Sequence, residues 1–232
     1  MIMNINKYIE SQIYNASRVI KTDIIDKSLI RYVGGLDISF DKNDSNYACA
    51  YITIFDIVSN SIVYENYNLC KMKTPYVSGC LGMREVPEYI KLLNKINTKP
   101  FYPQLLMVDG FGILHPREYG SASELGDIVN LPTIGVAKTL MCIDGLDEFK
   151  VKKEFKEKCT KKGDVIMLTG KSGKTYGAAL KSSSNADNPI YVSIGYGCSL
   201  ETSIEIVNKL SFYKIPEPIR NSDIKSKLYF KK

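Results

Sequence analysis

The stretch LLMVDGFGILHPREYG (105–120) ends an apolar run on a carboxylate, Asp109. A glycine-broken loop follows, carrying His115, the only histidine of the chain. Asp37 stands in a comparable place, inside VGGLDISF (33–40), where an unpaired charge among apolar and small residues would cost several kcal/mol. If those two segments are neighbouring strands, Asp37 and Asp109 converge at one sheet edge, and Glu85, at the mouth of a helix, can join them. Three acids in one place repel one another and stay ionised together only around a divalent cation. All-oxygen ligation suits Mg²⁺ or Mn²⁺, with a substrate phosphate completing the shell. The competing reading is that each acid separately caps a turn. Lys138, just past the apolar run PTIGVA, is either an ordinary exposed lysine or a cation aimed at the same edge.

A second motif is set aside. The segment from Gly170 to Thr175, GKSGKT, resembles a phosphate-binding loop, but the pattern needs a glycine five positions before Gly173, where Leu168 stands. The following YGAALK reads as strand, so no helix N-terminus would receive a phosphate. A hairpin turn, and no nucleotide cofactor, is the expectation.

The elements that would position these residues follow from periodicity. Residues 3–20 have helical spacing. YVGGLDISF, NYACAYITIFDI and SIVYENYNLC are rich in β-branched and aromatic residues and suggest an antiparallel meander. A helix is predicted from about Val86, with Pro87 in its first turn, where a missing N–H costs nothing. QLLMVD and PTIGVA are short, wholly apolar strands of the parallel, doubly buried kind. Between them Ser121-Ala-Ser-Glu124 reads as a capping box opening a helix to Val129. DVIMLTG and TYGAALK suggest a hairpin, PIYVSIG a strand, and SLETSIEIVNKL a final amphipathic helix. The order indicates one α/β domain with a mixed central sheet flanked by helices. Residues 1–30 read as a helix and lead-in, 31–227 as the catalytic domain, and 228–232 as a basic tail.

Composition is that of a soluble globular protein, 44% hydrophobic and 24% charged. No apolar run approaches the ~20 residues that span a bilayer. Six scattered cysteines without a C-x-x-C pair read as reduced thiols of a cytoplasmic protein, with a nuclear or nucleolar place as the alternative. A net charge of +6 is compatible with a polyanionic partner; the lysine clusters at 150–162 and 225–232 read equally well as a solvated helix face and a disordered end.

In order and spacing, VGGLDISF, PYVSGCLGMREVP, LLMVDGFGILHPREYG, LPTIGVAKTL, PIYVSIGYG and KIPEPIR closely resemble the endonuclease V family. The resemblance implies a ribonuclease-H-like fold and a metal-dependent endonuclease that recognises inosine or deoxyinosine. It implies hydrolysis of the second phosphodiester bond on the 3′ side, leaving 3′-OH and 5′-phosphate. Carried over by position, it implies Asp37 and Asp109 as ligands of Mg²⁺, for which Mn²⁺ can substitute, with Glu85 acting through water. Lys138 would stabilise charge on the phosphate, and Pro75, Tyr76, Val77 and Ser78 would form a wedge. Gly79, Leu81, Gly112, His115 and Gly120 would bind the extruded base. Bacterial members act mainly on deoxyinosine in DNA, as repair enzymes, and eukaryotic members on inosine in RNA. The wording of the wedge is nearer the eukaryotic kind, and the implied partner is inosine-containing single-stranded RNA or DNA, bound by a monomer. Two departures are Tyr196 and Glu124, where relatives carry histidine. They motivate the alternative of an inosine-binding module with weakened cleavage.

Overall fold

The computed structural model describes residues 5–230. Three strands open the sheet: β1 (Tyr32–Phe40), β2 (Tyr47–Asp56) and β3 (Ser61–Lys71), paired antiparallel in sequence order. After helix α2 (Gly82–Asn94), β4 (Leu105–Asp109) joins the other side of β1 in parallel. Helix α3 (Ser121–Val129) then crosses to β5 (Thr133–Ala137), parallel to β4. Helix α4 (Glu148–Lys158) leads to the antiparallel strands β6 (Val165–Thr169), β7 (Thr175–Leu180) and β8 (Ile190–Tyr196). Helices α5 (Leu200–Leu210) and α6 (Glu217–Leu228) close the chain's described part, and α1 (Ile5–Asn15) precedes the sheet. The resulting eight-stranded order is β3-β2-β1-β4-β5-β8-β7-β6, a mixed sheet flanked by helices, in agreement with the expected fold class.

Both faces of the central strands are covered, which is why their apolar runs are unbroken. On one face Val33, Leu105, Met107, Ile134 and Val136 pack with Val207 of α5 and Ile219 of α6. On the other, Leu36, Ile52, Leu106 and Val108 pack with Val86, Tyr89 and Leu92 of α2 and Leu125 of α3. Residues 170–174 are the turn of the β6–β7 hairpin, with Gly173 at φ +83°. All six cysteines are free thiols. Among the described residues no helix is long and apolar enough to cross a membrane.

Three local expectations are corrected. Helix α2 starts at Gly82, not Val86, because the Leu81 carbonyl already takes the N–H of Arg84 (2.8 Å) and Glu85 (3.1 Å). Pro87 therefore lies inside the helix, and Glu85 falls in its first turn. The capping box does not form: Gly120 is the N-cap of α3, Ser121 is already helical, and the Glu124 carboxylate accepts a hydrogen bond from the Tyr8 hydroxyl instead. Of the basic end at 225–232, residues 225–228 form the last turn of α6, Tyr229 packs against Tyr67 with ring centroids 4.3 Å apart, and residues 231 and 232 lie outside the described residues. Of the predicted leading helix at 3–20, residues 3 and 4 lie outside the described residues, and the α-helix ends at Asn15.

Candidate active site

The register of the parallel strands brings the first two acids together. Leu36 of β1 pairs with Val108 of β4, so the next residue on each strand, Asp37 and Asp109, lies level at the carboxyl end of the sheet. Asp109 pairs with Val136 on β5, and Lys138 follows that strand's end. Its Nζ donates to Asp109 Oδ2 (2.6 Å) and to Asp223 Oδ1 (3.0 Å).

Asp223 is the residue that sequence reasoning missed. It rides on α6, which lies directly on β1: a Cβ on Gly35 would come within 2.1 Å of the Pro218 carbonyl carbon. The contact is polar and close-packed. The Ser222 hydroxyl donates to the Gly35 carbonyl (2.9 Å), and the Ser226 hydroxyl donates to Asp37 Oδ2 (3.1 Å). Ile219, Ser222 and Ser226 thus form the buried stripe of α6, and Asp223 beside them turns to the acids. Carboxylate oxygens of Asp37, Asp109 and Asp223 all lie within 4.8 Å of one another. A stripe with one isoleucine and two serines carries little apolar periodicity, so only the small residues at 222 and 226, in helical register with Ile219, could have signalled it.

Glu85 belongs to the other face of the sheet, since α2 packs there. It is buried at the mouth of α2, close enough for Asp37 and Asp109 to act on it, but the tight trio is completed by Asp223. Burial, then the charges of Asp109 and Asp223, push the Asp37 carboxyl up to about 8. Burial, then Asp37 and Asp109, likewise push Glu85 up to about 8. Burial of Asp223 is outweighed by Lys227 and Lys138, which hold its carboxyl below the usual range. Burial also opposes the Lys138 ammonium, yet Asp109 and Asp223 hold its pKa above that of an ordinary lysine. Acids crowded to the point of holding their protons, all offering oxygen, are a donor set that a hard divalent cation would relieve.

Asp109 and Lys138 separate two hollows. One, of about 780 Å³, is the cleft bordered by Asp37, Lys42, Asp223, Lys227 and Phe230. The other, of about 360 Å³, is walled by Gly79, Leu81, Gly82, Phe111, His115 and Gly120. Gly79 sits at φ +74°, a conformation that a side chain would strain. Gly112 does not line this cavity: it lies beneath, where a Cβ would strike the Ile194 carbonyl, and its N–H donates to Ser193 Oγ (3.0 Å). Tyr76 is 67% exposed, flanked by exposed Pro75 and Ser78, while Val77 turns inward toward Tyr8 and Met83.

His115 is buried, and its tautomer follows from its partners. Nδ1 accepts from the Arg117 N–H (3.2 Å), so Nε2 carries the proton and donates to the Gly79 carbonyl (3.0 Å). Burial, then the Arg117 charge, pull its pKa down to about 4, so it is a neutral brace between two loops at ordinary pH.

The two departures lie elsewhere than the acid cluster. Tyr196 pairs with Thr133 at the opposite end of β5, and its hydroxyl donates to Asn130 Oδ1 (3.3 Å). It replaces no group at Asp37, Asp109 and Asp223. Glu124 is turned toward α1, where it accepts from the Tyr8 hydroxyl, and burial pushes its carboxyl up to about 7.

Known proteins share this arrangement of strands and helices. The family described as Endonuclease V matches residues 14–224. Endonuclease V of Mus musculus is 40% identical over 205 residues, which span 88% of this chain but only 61% of that protein. The crystal structure of the catalytic domain of human endonuclease V aligns with a TM-score of 0.92 at 35% identity, covering 97% of this chain and 95% of that one. Ciona intestinalis endonuclease V, solved with a 23mer DNA containing an inosine followed by a ribo-adenosine, aligns at 0.92 with 31% identity, covering 97% and 96%. Matched over most of its length in sequence and fold, the chain belongs to the endonuclease V family.

Proposed function

We propose that this protein is a metal-dependent endonuclease that recognises inosine in RNA or DNA and hydrolyses the second phosphodiester bond 3′ to it, leaving 3′-OH and 5′-phosphate. One observation carries the reading: Asp37, Asp109, Asp223 and Lys138 meet in one cleft, and Asp109 and Lys138 also wall the glycine-lined cavity beside it. The three aspartates would hold Mg²⁺, with Mn²⁺ as a substitute. The cation, when bound, supplies a Lewis acid to the scissile phosphate. Lys138 Nζ stabilises the negative charge that builds on that phosphate. Glu85, with its proton affinity near neutral pH, orients the attacking water. Tyr76 stacks into the gap left by the extruded base, and backbone groups of the Gly79–Leu81 and Gly120 walls read the hypoxanthine edge. The Ciona protein, solved with DNA containing an inosine followed by a ribo-adenosine, supports a substrate of that kind here.

Single-stranded DNA, RNA and hybrid oligonucleotides, each with one inosine, are incubated with the protein and Mg²⁺ or Mn²⁺, and the products are sized. The expected result is one nick at the second bond 3′ of inosine, no nick in adenosine controls, and complete loss with Asp109→Ala. Uncut substrate in every combination would refute the reading, and the three backbones rank RNA against DNA.

A further inference from the structure

Helix α1 contributes two buried side chains, Tyr8 and Gln12, and Gln12 reaches the cavity walled by Gly79 and Gly120. Gln12 is 2% exposed, although it lies on an otherwise largely exposed helix. Its Nε2 donates to the carbonyls of Gly79 (3.2 Å) and Tyr119 (2.9 Å), and its Oε1 accepts from Arg117 Nε (2.7 Å). The orientation of the amide is fixed by chemistry, because a guanidinium only donates and a carbonyl only accepts.

Gly79 belongs to the loop that follows the wedge, while Arg117 and Tyr119 belong to the loop after β4. These loops are the facing walls of the cavity, and side chains tie them together. His115, Arg117 and Gln12 all direct donors at the one Gly79 carbonyl. A carbonyl so occupied anchors its loop. Of the three side chains, only Gln12 comes from outside both loops and bonds to a backbone carbonyl on each. Tyr8, one turn earlier on α1, extends the contact by donating to Glu124 on α3 and packing with Val77 of the wedge loop. Gln12 makes no hydrogen bond to Asp37, Asp109 or Asp223.

We propose that Gln12 is a positioning residue for base recognition: its amide sets the separation of the Gly79 and Tyr119 walls, and so the width of the slot that selects the base. The inference rests on the reading of this cavity as the inosine pocket. Gln12→Ala and Gln12→Glu are compared with wild type in the full chain. The glutamate keeps the size and the acceptor for Arg117 but removes both amide donors.

The expected result is a rise of about tenfold in KM for an inosine oligonucleotide, with kcat at saturation within about twofold of wild type. Preference for inosine over adenosine in metal-free binding narrows as well, the thermal shift produced by Mg²⁺ is unchanged, and Glu behaves like Ala. Wild-type KM and base preference in either variant would overturn the proposal. So would a fall in kcat that merely tracks a lower melting temperature. If wild type itself does not prefer inosine, the pocket reading fails and this inference falls with it; if wild type discriminates and the variants match it, this inference fails alone.

Discussion

Asp37 and Glu85 hold carboxyls where ionisation is unfavourable, and this makes stability depend on pH and metal together. Both have native pKa values near 8, above those of an unfolded chain. Between about pH 4 and pH 8 the native state therefore binds protons that the unfolded state has released. Stability from this source is full below the unfolded values and is lost as pH rises through the native ones. In a chelator, the melting temperature should fall from pH 5 to pH 8 by at least ~2–4 °C, the shift that about 1 kcal/mol produces in a domain of this size. Asp37→Asn should flatten the decline, and Mg²⁺ should raise the melting temperature most at the alkaline end, because bound cation favours the ionised trio. Melts across pH with and without Mg²⁺ test this; a flat metal-free profile would contradict the electrostatics of the cluster. His115, held at about 4 in the native state against 6.5 ordinarily, should add a smaller limb of opposite sign, full above about pH 6.5 and lost as pH falls toward 4, which the two acids outweigh between pH 5 and pH 8.

Helix α6 shows how one element's seating decides whether the site exists. Its buried stripe of Ile219, Ser222 and Ser226 lies on β1 only because Gly35 has no side chain between them. Gly35→Ala adds a methyl where backbone stands 2.1 Å away, and overpacking of that kind costs about 1–3 kcal/mol. The helix should lift, moving Asp223 away from Asp37 and Asp109 while β1 and β4 remain paired. The expected outcome is a folded protein, less stable in denaturant, whose cleavage falls far more than its stability. Cleavage intact beside a normal denaturation midpoint would show that α6 has room to adjust. Helix α2 makes the complementary point: it starts four residues earlier than its proline suggested, which puts Glu85 at the sheet edge.

Across the whole molecule, the cationic side chains near the site gather at the end of the sheet that carries the acids. Lys42, Lys138 and Lys227 border the catalytic cleft, and Lys71, Lys73, Arg84 and Lys91 border a groove of about 540 Å³ beside the wedge loop. On a chain of net charge +6, this polarity fits a strand that crosses the acids while its flanks lie on lysines. Binding of a single strand should then weaken linearly on a log–log salt plot, with a slope of about −0.7 per phosphate neutralised. Lys71→Ala with Lys73→Ala should flatten the slope by about one to two phosphates' worth, with cleavage of bound substrate unchanged. Titrations between 50 and 200 mM salt measure it, and an unchanged slope would place the strand elsewhere.

How much of this was legible depends on how far apart the cooperating residues lie in the chain. Asp37 and Asp109 announced themselves because each breaks an apolar run, a strictly local anomaly, and Lys138 stood out by ending a third such run. The meander, the parallel pair and the hairpin at 170–174 followed from periods and turns of a few residues. Asp223 did not, since α6 is mostly polar and its burial depends on the missing side chain at Gly35, far away in the chain. Glu124 was assigned to a local cap, but Tyr8, 116 residues distant, offers a better hydrogen bond. Gln12 carries no local signal at all: two loops more than sixty residues away in the chain close around it. The sequence by itself determined the kinds of element, the faces they bury and the two acids that break apolar runs, because each is a short-range property of side-chain spacing. Only the tertiary structure decided which third carboxylate completes the cluster, what His115 braces and where α1 is fastened. Those outcomes depend on which surfaces pack together, and packing joins residues that no local pattern connects.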